Sequence, residues 1–364
     1  MKIEAIRIGH ASVRMARPMR TAIHETTHTE NALVEVRAEG LVGQGAALTL
    51  KPNQARAVCS MIADLSEDLT GRDARDVRAH WEGMWLRLNL TGQTGIGALA
   101  LSALDTALWD LLAQQAGMPL YRLLGAAHAE LPVYTQGGWL SYPVQQLVEE
   151  ALSYQEQGYR YYKMRVGSPD WRSDVSRVEQ IREALDPAVQ LLVDANQGWS
   201  TADALAASRA LDDLGLYWIE DPVEGGNLDG CARVAAAITT PVAAGEAAFG
   251  TAGFRPLIEQ QAAGILMPDL QHCGGPSGFM RVAIQADLAN LPISSHLFTQ
   301  VSIHLLAACR NALIVEYMPG WWDDLFDRPL DISGGVIRPP EDPGIGFRFS
   351  DATSQQLTRA WSQG

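Results

Sequence analysis

The sequence predicts an α/β protein, a (β/α)8 TIM-type barrel preceded by a smaller α+β segment. Three observations lead there. Beyond residue 130, eight short apolar runs alternate with helix-forming segments, the texture of parallel strands joined by crossover helices. Three successive runs, LLVDAN, YWIED and PVAAGE, each end on an acid, Asp194, Glu220 and Glu246, at equal intervals of 26 residues. The chain, at 364 residues, has room for one barrel of ~250 residues and a second, smaller domain.

In chain order, positions 3–8 and 32–37 alternate apolar and polar residues, with Gly40 and Gly43 close by, and read as antiparallel strands. Between them, residues 17–29 (RPMRTAIHETTHT) follow neither period and read as a loop. Its Arg17, Arg20, His24 and His28 are candidates to reach a bound anion. Residues 53–125 read as helical, most clearly 96–116, with a stop at Gly117, Met118 and Pro119. Gly95, Gly97 and Ala100 fit the dinucleotide pattern GxGxxA, but no strand leads into them, so a nucleotide site is rejected. The expected barrel strands are 131–136, 161–166, 191–194, 217–220, 242–246, 265–269, 293–296 and 314–317. After about residue 330 the chain turns to Gly and Pro, GGVIRPPEDPGIG, and reads as a tail crossing back over the first domain. The expected domains are thus 1–125, completed by 331–364, and the barrel, 126–330.

Composition narrows the function. With 47% hydrophobic and 19% charged residues the chain has the make-up of a globular protein. A formal net charge of −14 speaks against nucleic acid or an anionic membrane as partner, since both need a basic face. Cys59, Cys231, Cys273 and Cys309 lie far apart without CxxC spacing, which indicates neither a zinc site nor a disulfide framework. MKIEAIRIGH holds no apolar signal region, and no run approaches the ~18 residues of a membrane span. A cytoplasmic protein is expected.

The strand ends carry the chemistry. Asp194, Glu220 and Glu246 fall at the C-terminal ends of three neighbouring strands, the face on which such barrels build active sites. Three hard oxygen ligands converging on one point suit Mg²⁺; the alternative is that each acid caps the helix that follows it. Lys163 and Arg165, two apart, face one side of their strand and point into the barrel mouth. The sixth, seventh and eighth strands end near Asp269, His296 and Glu316. Buried cations and carboxylates in such number are expensive unless paired or bound to metal.

The runs YKMRV, VDANQ, WIEDP, AAGE, MPDLQHCGG, PISSHLF and VEYMP together resemble the enolase superfamily and, within it, the mandelate racemase subgroup, over nearly the whole chain. The resemblance implies an α+β capping domain, made from both ends of the chain, whose loops close over the barrel and set specificity. It implies Mg²⁺ held by Asp194, Glu220 and Glu246 against a substrate carboxylate, with Lys163 adding positive charge beside the enediolate formed when the α-proton leaves. His296 is then the base, with Asp269 fixing its tautomer and raising its basicity. Glu316 would hydrogen-bond the substrate carboxylate, for which it would have to be protonated, with a raised pKa. His10, His80, His128 and His272 lack such a setting and read as structural. Relatives of this kind commonly form symmetric oligomers, so a homo-oligomer is expected.

At one position the sequence departs from the pattern. The subgroup's racemases carry a second lysine, a base for the opposite face of the substrate, where this chain has Arg165. Arginine is a permanent cation at neutral pH and a poor base. One clear proton carrier, His296, favours elimination: dehydration of a sugar acid to a 2-keto-3-deoxy acid by a lyase of the acid-sugar dehydratase type. Arg165 then clamps a carboxylate or hydroxyl. The alternatives are a racemase or epimerase of a 2-hydroxy acid, an isomerase, and a metal-dependent acid-binding protein without turnover. Substrate contacts are expected from Arg17, Arg20, His24, Asn196, Trp139 and Trp321. The basic residues of the first loop leave both a monoacid and a diacid open.

Overall fold

The computed structural model describes residues 1–358; positions 359–364, the end of the expected tail, lie outside the described residues. Strands β1 (Ile3–Arg20), β2 (Glu25–Ala38) and β3 (Leu41–Thr49) form an antiparallel meander, and a last strand, Leu357–Thr358, joins the free side of β1. Ala11, Val13 and Met15 are buried while Ser12 and Arg14 between them are exposed, the period of a half-buried strand. Most of the expected 17–29 loop is strand. The ladder pairs Arg14 with His28, shifts register, and resumes at Met19 and Thr26. That bulge, around a proline with no N–H to give, hid the period. What remains is a tight turn at 21–24, where Thr21 Oγ1 accepts the amides of Ile23 (3.3 Å) and His24 (3.0 Å).

Helices α1 (Pro52–Ser66), α2 (Val77–Arg87), α3 (Ile96–Gln115) and the short α4 (Leu120–Leu123) complete the N-terminal unit. By length and composition α3 is apolar enough to cross a membrane, contrary to the expectation that no run comes near that length, but most of it is buried inside the protein. Two acids on its buried face tie it down. Asp105 accepts the amide (2.7 Å) and hydroxyl (2.8 Å) of Ser277, and Asp110 accepts the amides of Gln44 (3.0 Å) and Ile345 (2.9 Å).

The barrel then runs β4 (Leu131–Gln136), α5 (Val144–Glu156), β5 (Tyr161–Arg165), α6 (Trp171–Ala184), β6 (Gln190–Asp194), α7 (Thr201–Asp212), β7 (Trp218–Glu220), α8 (Leu228–Ala235), β8 (Val242–Ala244), α9 (Gly250–Glu259), β9 (Ile265–Leu266), α10 (Pro276–Leu288), α11 (Thr299–Ala307) and β10 (Val315–Tyr317). The strands pair in parallel in chain order, and β10 returns to β4 through Glu316 and Tyr134 to close the ring. The expected seventh strand, 293–296, keeps its place only through bridges at Ile293 and His296. There the Ser294 hydroxyl donates to the Ile314 carbonyl (2.8 Å), a side chain standing in for part of a ladder. Tyr134, Leu192, Trp218, Ala243, Ile265, Met267 and Ile314 fill the interior, so the barrel is a packed plug with its charged residues above it.

The tail divides. Strands β11 (Asp331–Ser333) and β12 (Val336–Arg338) form a hairpin that adds to the barrel at Leu131 and Pro132 of β4. The chain returns to the N-terminal unit from Gly344 onward, where Gly344 bridges to Pro119 and the Phe349 amide meets Gln44 (2.8 Å), so 331–338 packs with the barrel and not, as expected, with the cap. The cause is local: Gly334 and Gly335 both have positive φ (57° and 74°), the pair a two-residue hairpin turn demands.

The 21–24 turn rests on the barrel mouth. A Cβ at Gly198 would lie 2.5 Å from the Ala22 methyl, and one at Gly167 3.1 Å from it, so this seat admits no side chain at either position. The replacement Gly198→Val should therefore lift the turn. Overpacking of this kind costs ~1–3 kcal/mol, enough to speed trypsin cleavage after the exposed Arg20 about tenfold while the rest of the chain stays resistant. An unchanged cleavage rate would mean that the turn is not seated on these glycines.

Candidate active site

The strand ends converge. The carboxylates of Asp194, Glu220 and Glu246 offer ligand atoms that all lie within 4.8 Å of one another. β5 turns Lys163 and Arg165 inward on either side of Met164, whose side chain packs outward into the helix layer. Lys163 Nζ, almost fully buried, donates to both oxygens of Glu220 (2.8 and 3.0 Å) and to Glu316 (2.9 Å), and stands 3.5 Å from Asp194. Arg165 donates from one terminal nitrogen to Asp194 and from the other to the side-chain carbonyl of Gln136. Its guanidinium lies 5.2 Å from the ring centre of Trp139, and its Nε has no protein partner.

On the opposite wall, His296 Nδ1 meets Asp269 (2.7 Å) and Nε2 meets Glu246 (3.1 Å). Asp269 is itself fixed by the amides of Gln271 (2.8 Å) and His272 (2.9 Å), so it holds the imidazole in one orientation. Burial alone would lower the His296 pKa, but Glu246, the Asp269 hydrogen bond and Glu316 outweigh it and raise it to about 10. Burial lifts Glu220, opposed by Lys163 and supported by Glu246 and Glu316.

Glu316 corrects an expectation. It does not sit as a protonated donor: burial would raise its pKa, but Lys163, His296 and the Leu297 amide bring it down to about 2. Its oxygens accept from Lys163, from the Gln136 amide (2.6 Å) and from the Leu297 N–H (2.5 Å). It is an ionised acceptor that holds the cationic side of the site in place.

The remaining expected contacts are spread more widely. Asn196 lies beside the triad, giving its backbone N–H (2.7 Å) and side-chain amide (3.2 Å) to Asp194, while its Oδ1 is buried without a protein partner. Arg17, Trp139 and Trp321 line a cavity of about 690 Å³ that Gln136 joins to the site. His24 sits at the 21–24 turn, its pKa lowered by burial and pushed back up by the charge of Glu246. Arg20 stays outside: its side chain is exposed, and its carbonyl accepts the Leu140 amide (3.1 Å). His28 bonds Thr27. Of the histidines read as structural, His10 pairs with Glu30 (2.6 Å), whereas His272 Nδ1 takes the backbone carbonyl of the ligand Glu246.

Sequence reading passed over Gln136, Trp218 and Asp221. Gln136 ends the first barrel strand, and a rule attentive to strand ends would have reached it. Trp218 Nε1 donates to Glu220 (2.9 Å). Asp221 is buried, and burial together with Glu246 and Glu220 drives its pKa well above the usual carboxylate range.

The donor set suits a divalent cation. Five carboxylates, from Asp194, Glu220, Glu246, Asp269 and Glu316, share this space with three cations, Lys163, Arg165 and protonated His296. Two negative charges are left over in a buried site, where an unbalanced charge is costly.

Comparison with known proteins agrees. Residues 3–125 match the family model "Mandelate racemase / muconate lactonizing enzyme, N-terminal domain", and residues 146–353 match "Enolase C-terminal domain-like". Among curated relatives, a 3,6-anhydro-alpha-L-galactonate cycloisomerase of Streptomyces coelicolor is 32% identical, covering 90% of this chain and 93% of its own. An L-talarate/galactarate dehydratase of Salmonella typhimurium is 30% identical over 100% of this chain and 91% of its own. Among solved structures, an L-talarate dehydratase of Polaromonas sp. JS666, complexed with Mg and L-glucarate, superimposes with a TM-score of 0.92 at 31% identity, covering 98% of this chain and 97% of that one. The cofactor is Mg²⁺, and Asp194, Glu220 and Glu246 would hold it.

The raised His296 pKa fixes a pH dependence. A group held at about 10 in the fold and near 6.5 in the unfolded chain contributes stability that is whole below pH 6.5 and is lost as pH rises through 10. Without metal, the free energy of unfolding should fall between those limits by on the order of a few kcal/mol, and His296→Asn should remove most of that slope. Urea titrations in EDTA across the range check this; an equal slope in the variant would assign the dependence to other groups.

Proposed function

The chain belongs to the mandelate racemase / muconate lactonizing enzyme family, an enzyme of Mg²⁺-dependent enolase-superfamily chemistry, and from that premise we propose that it dehydrates a sugar acid to a 2-keto-3-deoxy acid. One observation carries the choice of elimination: among the described residues, an oriented imidazole stands on one wall and ion-paired cations stand on the other. His296, aligned by Asp269, faces an Arg165 whose terminal nitrogens are both committed, to Asp194 and Gln136. With a pKa above 12, that guanidinium holds its protons at neutral pH. The alternative, 1,1-proton transfer in a racemase or epimerase, would fall to Lys163, whose proton is held between Glu220 and Glu316.

Mg²⁺, when bound, supplies divalent positive charge to the substrate carboxylate and stabilises the negative charge that gathers there as the α-proton leaves. Lys163 adds positive charge on the same side, and Glu316 and Gln136 keep Lys163 and Arg165 in register. His296 Nε2 takes the α-proton while Asp269 keeps the proton on Nδ1. Among the groups that hold a proton on His296 against burial, Glu246 is foremost, and as a metal ligand that carboxylate would lend less of its charge to the imidazole. The imidazolium then returns the proton to the departing β-hydroxyl. The α C–H and β C–O bonds break, a C=C bond forms, water leaves, and the enol product tautomerises to the ketone.

Proton NMR in D₂O, with Mg²⁺ and a panel of sugar acids, tests this. The expected product is a 2-keto-3-deoxy acid; deuterium at the α-carbon with every hydroxyl retained would sink the dehydratase reading. His296→Asn should cut turnover by ~10²–10⁴, the usual worth of a general base, and EDTA should abolish it until Mg²⁺ is restored. Arg165→Lys places a titratable amine on the second wall and should bring α-carbon exchange that the parent lacks.

A further inference from the structure

The cavity beyond Gln136 says what the far end of the substrate is. Gln136 and Trp139 belong to both places: one bridges Arg165 and Glu316, the other lies against the Arg165 guanidinium, and together they wall the inner end of a space of about 690 Å³. This is the cavity that adjoins the cationic wall of the site, and a chain held by its carboxylate at the strand ends would enter it past these two residues. A volume in the range of small-ligand pockets gives it ample room.

Its charge is unfavourable to a second anion. Arg17 is the cation lining it; its side chain is 61% exposed and 3.9 Å from Glu150. Glu150 is fixed there by the Gly138 amide (2.7 Å) and the Tyr162 hydroxyl (2.8 Å), and Glu149 stands beside it, exposed on the same wall. Two carboxylates thus meet one guanidinium, which is already engaged. The other basic residues of the 17–29 segment do not redress this: Arg20 points to solvent, His28 bonds Thr27, and neither of them nor His24 lines the space. The rest of the lining suits a polyol, since Gln146 and Gln157 offer amides, and Trp139 and Trp321 add apolar ring surface for C–H groups.

We infer that the substrate is a monoacid whose far end is neutral and hydroxylated, and that this cavity rejects a chain carrying a carboxylate at both ends. The inference rests on the sugar-acid reading above and deepens it. Matched pairs that differ only at the far carbon, galactonate with galactarate and gluconate with glucarate, test it on the Mg²⁺-loaded enzyme. Binding is followed by quenching of tryptophan fluorescence, and turnover by NMR. In the pair that binds best, the monoacid should lead by about tenfold or more, because like charges a few ångströms apart at a protein surface repel at least that strongly. Glu149→Lys should narrow or invert the ratio, and Arg17→Gln should widen it. A diacid preferred by the parent enzyme, or a ratio unmoved by Glu149→Lys, overturns the inference, as does failure of both members of every pair to bind. Binding that follows the expected ratio without 2-keto-3-deoxy product would overturn dehydration and leave the monoacid assignment standing.

Discussion

An excess of negative charge buried at the mouth of the barrel is the constraint on which the rest of the structure depends. Five carboxylates in one space would repel each other apart if each were not met. Lys163 spans Glu220 and Glu316, Arg165 takes Asp194, and His296 lies between Asp269 and Glu246. No single strand can supply both signs at these separations. Parallel strands closed into a ring can, because each contributes one or two inward side chains at its end and the next strand lies about 5 Å away. The packed plug of Tyr134, Leu192 and Trp218 beneath keeps those ends from sinking inward. Fold and charge balance are in this sense one design: the barrel exists to hold apart groups that would otherwise either collapse together or scatter.

Much of that design was legible in the sequence because it is periodic. Asp194 and Glu220 announce themselves by ending apolar runs at a fixed interval, and Lys163 and Arg165 by sharing a strand face two residues apart. What escaped was whatever depends on contacts between distant parts of the chain. Glu316 read as a protonated donor because nothing nearby in sequence shows Lys163, 153 positions away, or the Leu297 amide, both of which hold it ionised. Gln136 was missed because an uncharged amide gives no electrostatic signal until both of its ends are seen to be used. The 17–29 segment read as a loop because a bulge breaks the alternation that marks a strand, and the tail read as cap because two glycines turn it back onto β4 first.

The two sheets meet where selection among substrates would act. The 21–24 turn lies over Gly167 and Gly198, which sit in the loops following β5 and β6, and the Arg20 carbonyl accepts the Leu140 amide. The cap is therefore registered against the same strands that carry Lys163, Arg165 and Asp194. A shift of the turn would be felt at both walls, since His24 in the turn lies within the charge influence of Glu246, the partner of His296.

Arg165 is where a shared mechanism becomes a particular one. Placing arginine rather than lysine on the second wall does not weaken the electrostatics, since the charge is kept; it removes exchangeability, since the proton is kept as well. The cost of burying a guanidinium is met by a planar fork that fits two acceptors at once, Asp194 and Gln136, with the Trp139 ring alongside. Lysine, a point charge on a flexible stem, could not bridge both. The geometry that accommodates Arg165 is thus the same geometry that keeps its proton in place, and its partners Gln136 and Trp139 also line the neighbouring cavity. Under the proposed elimination, this one position therefore bears on two properties, the face from which a proton is taken and the shape of the cavity beside it.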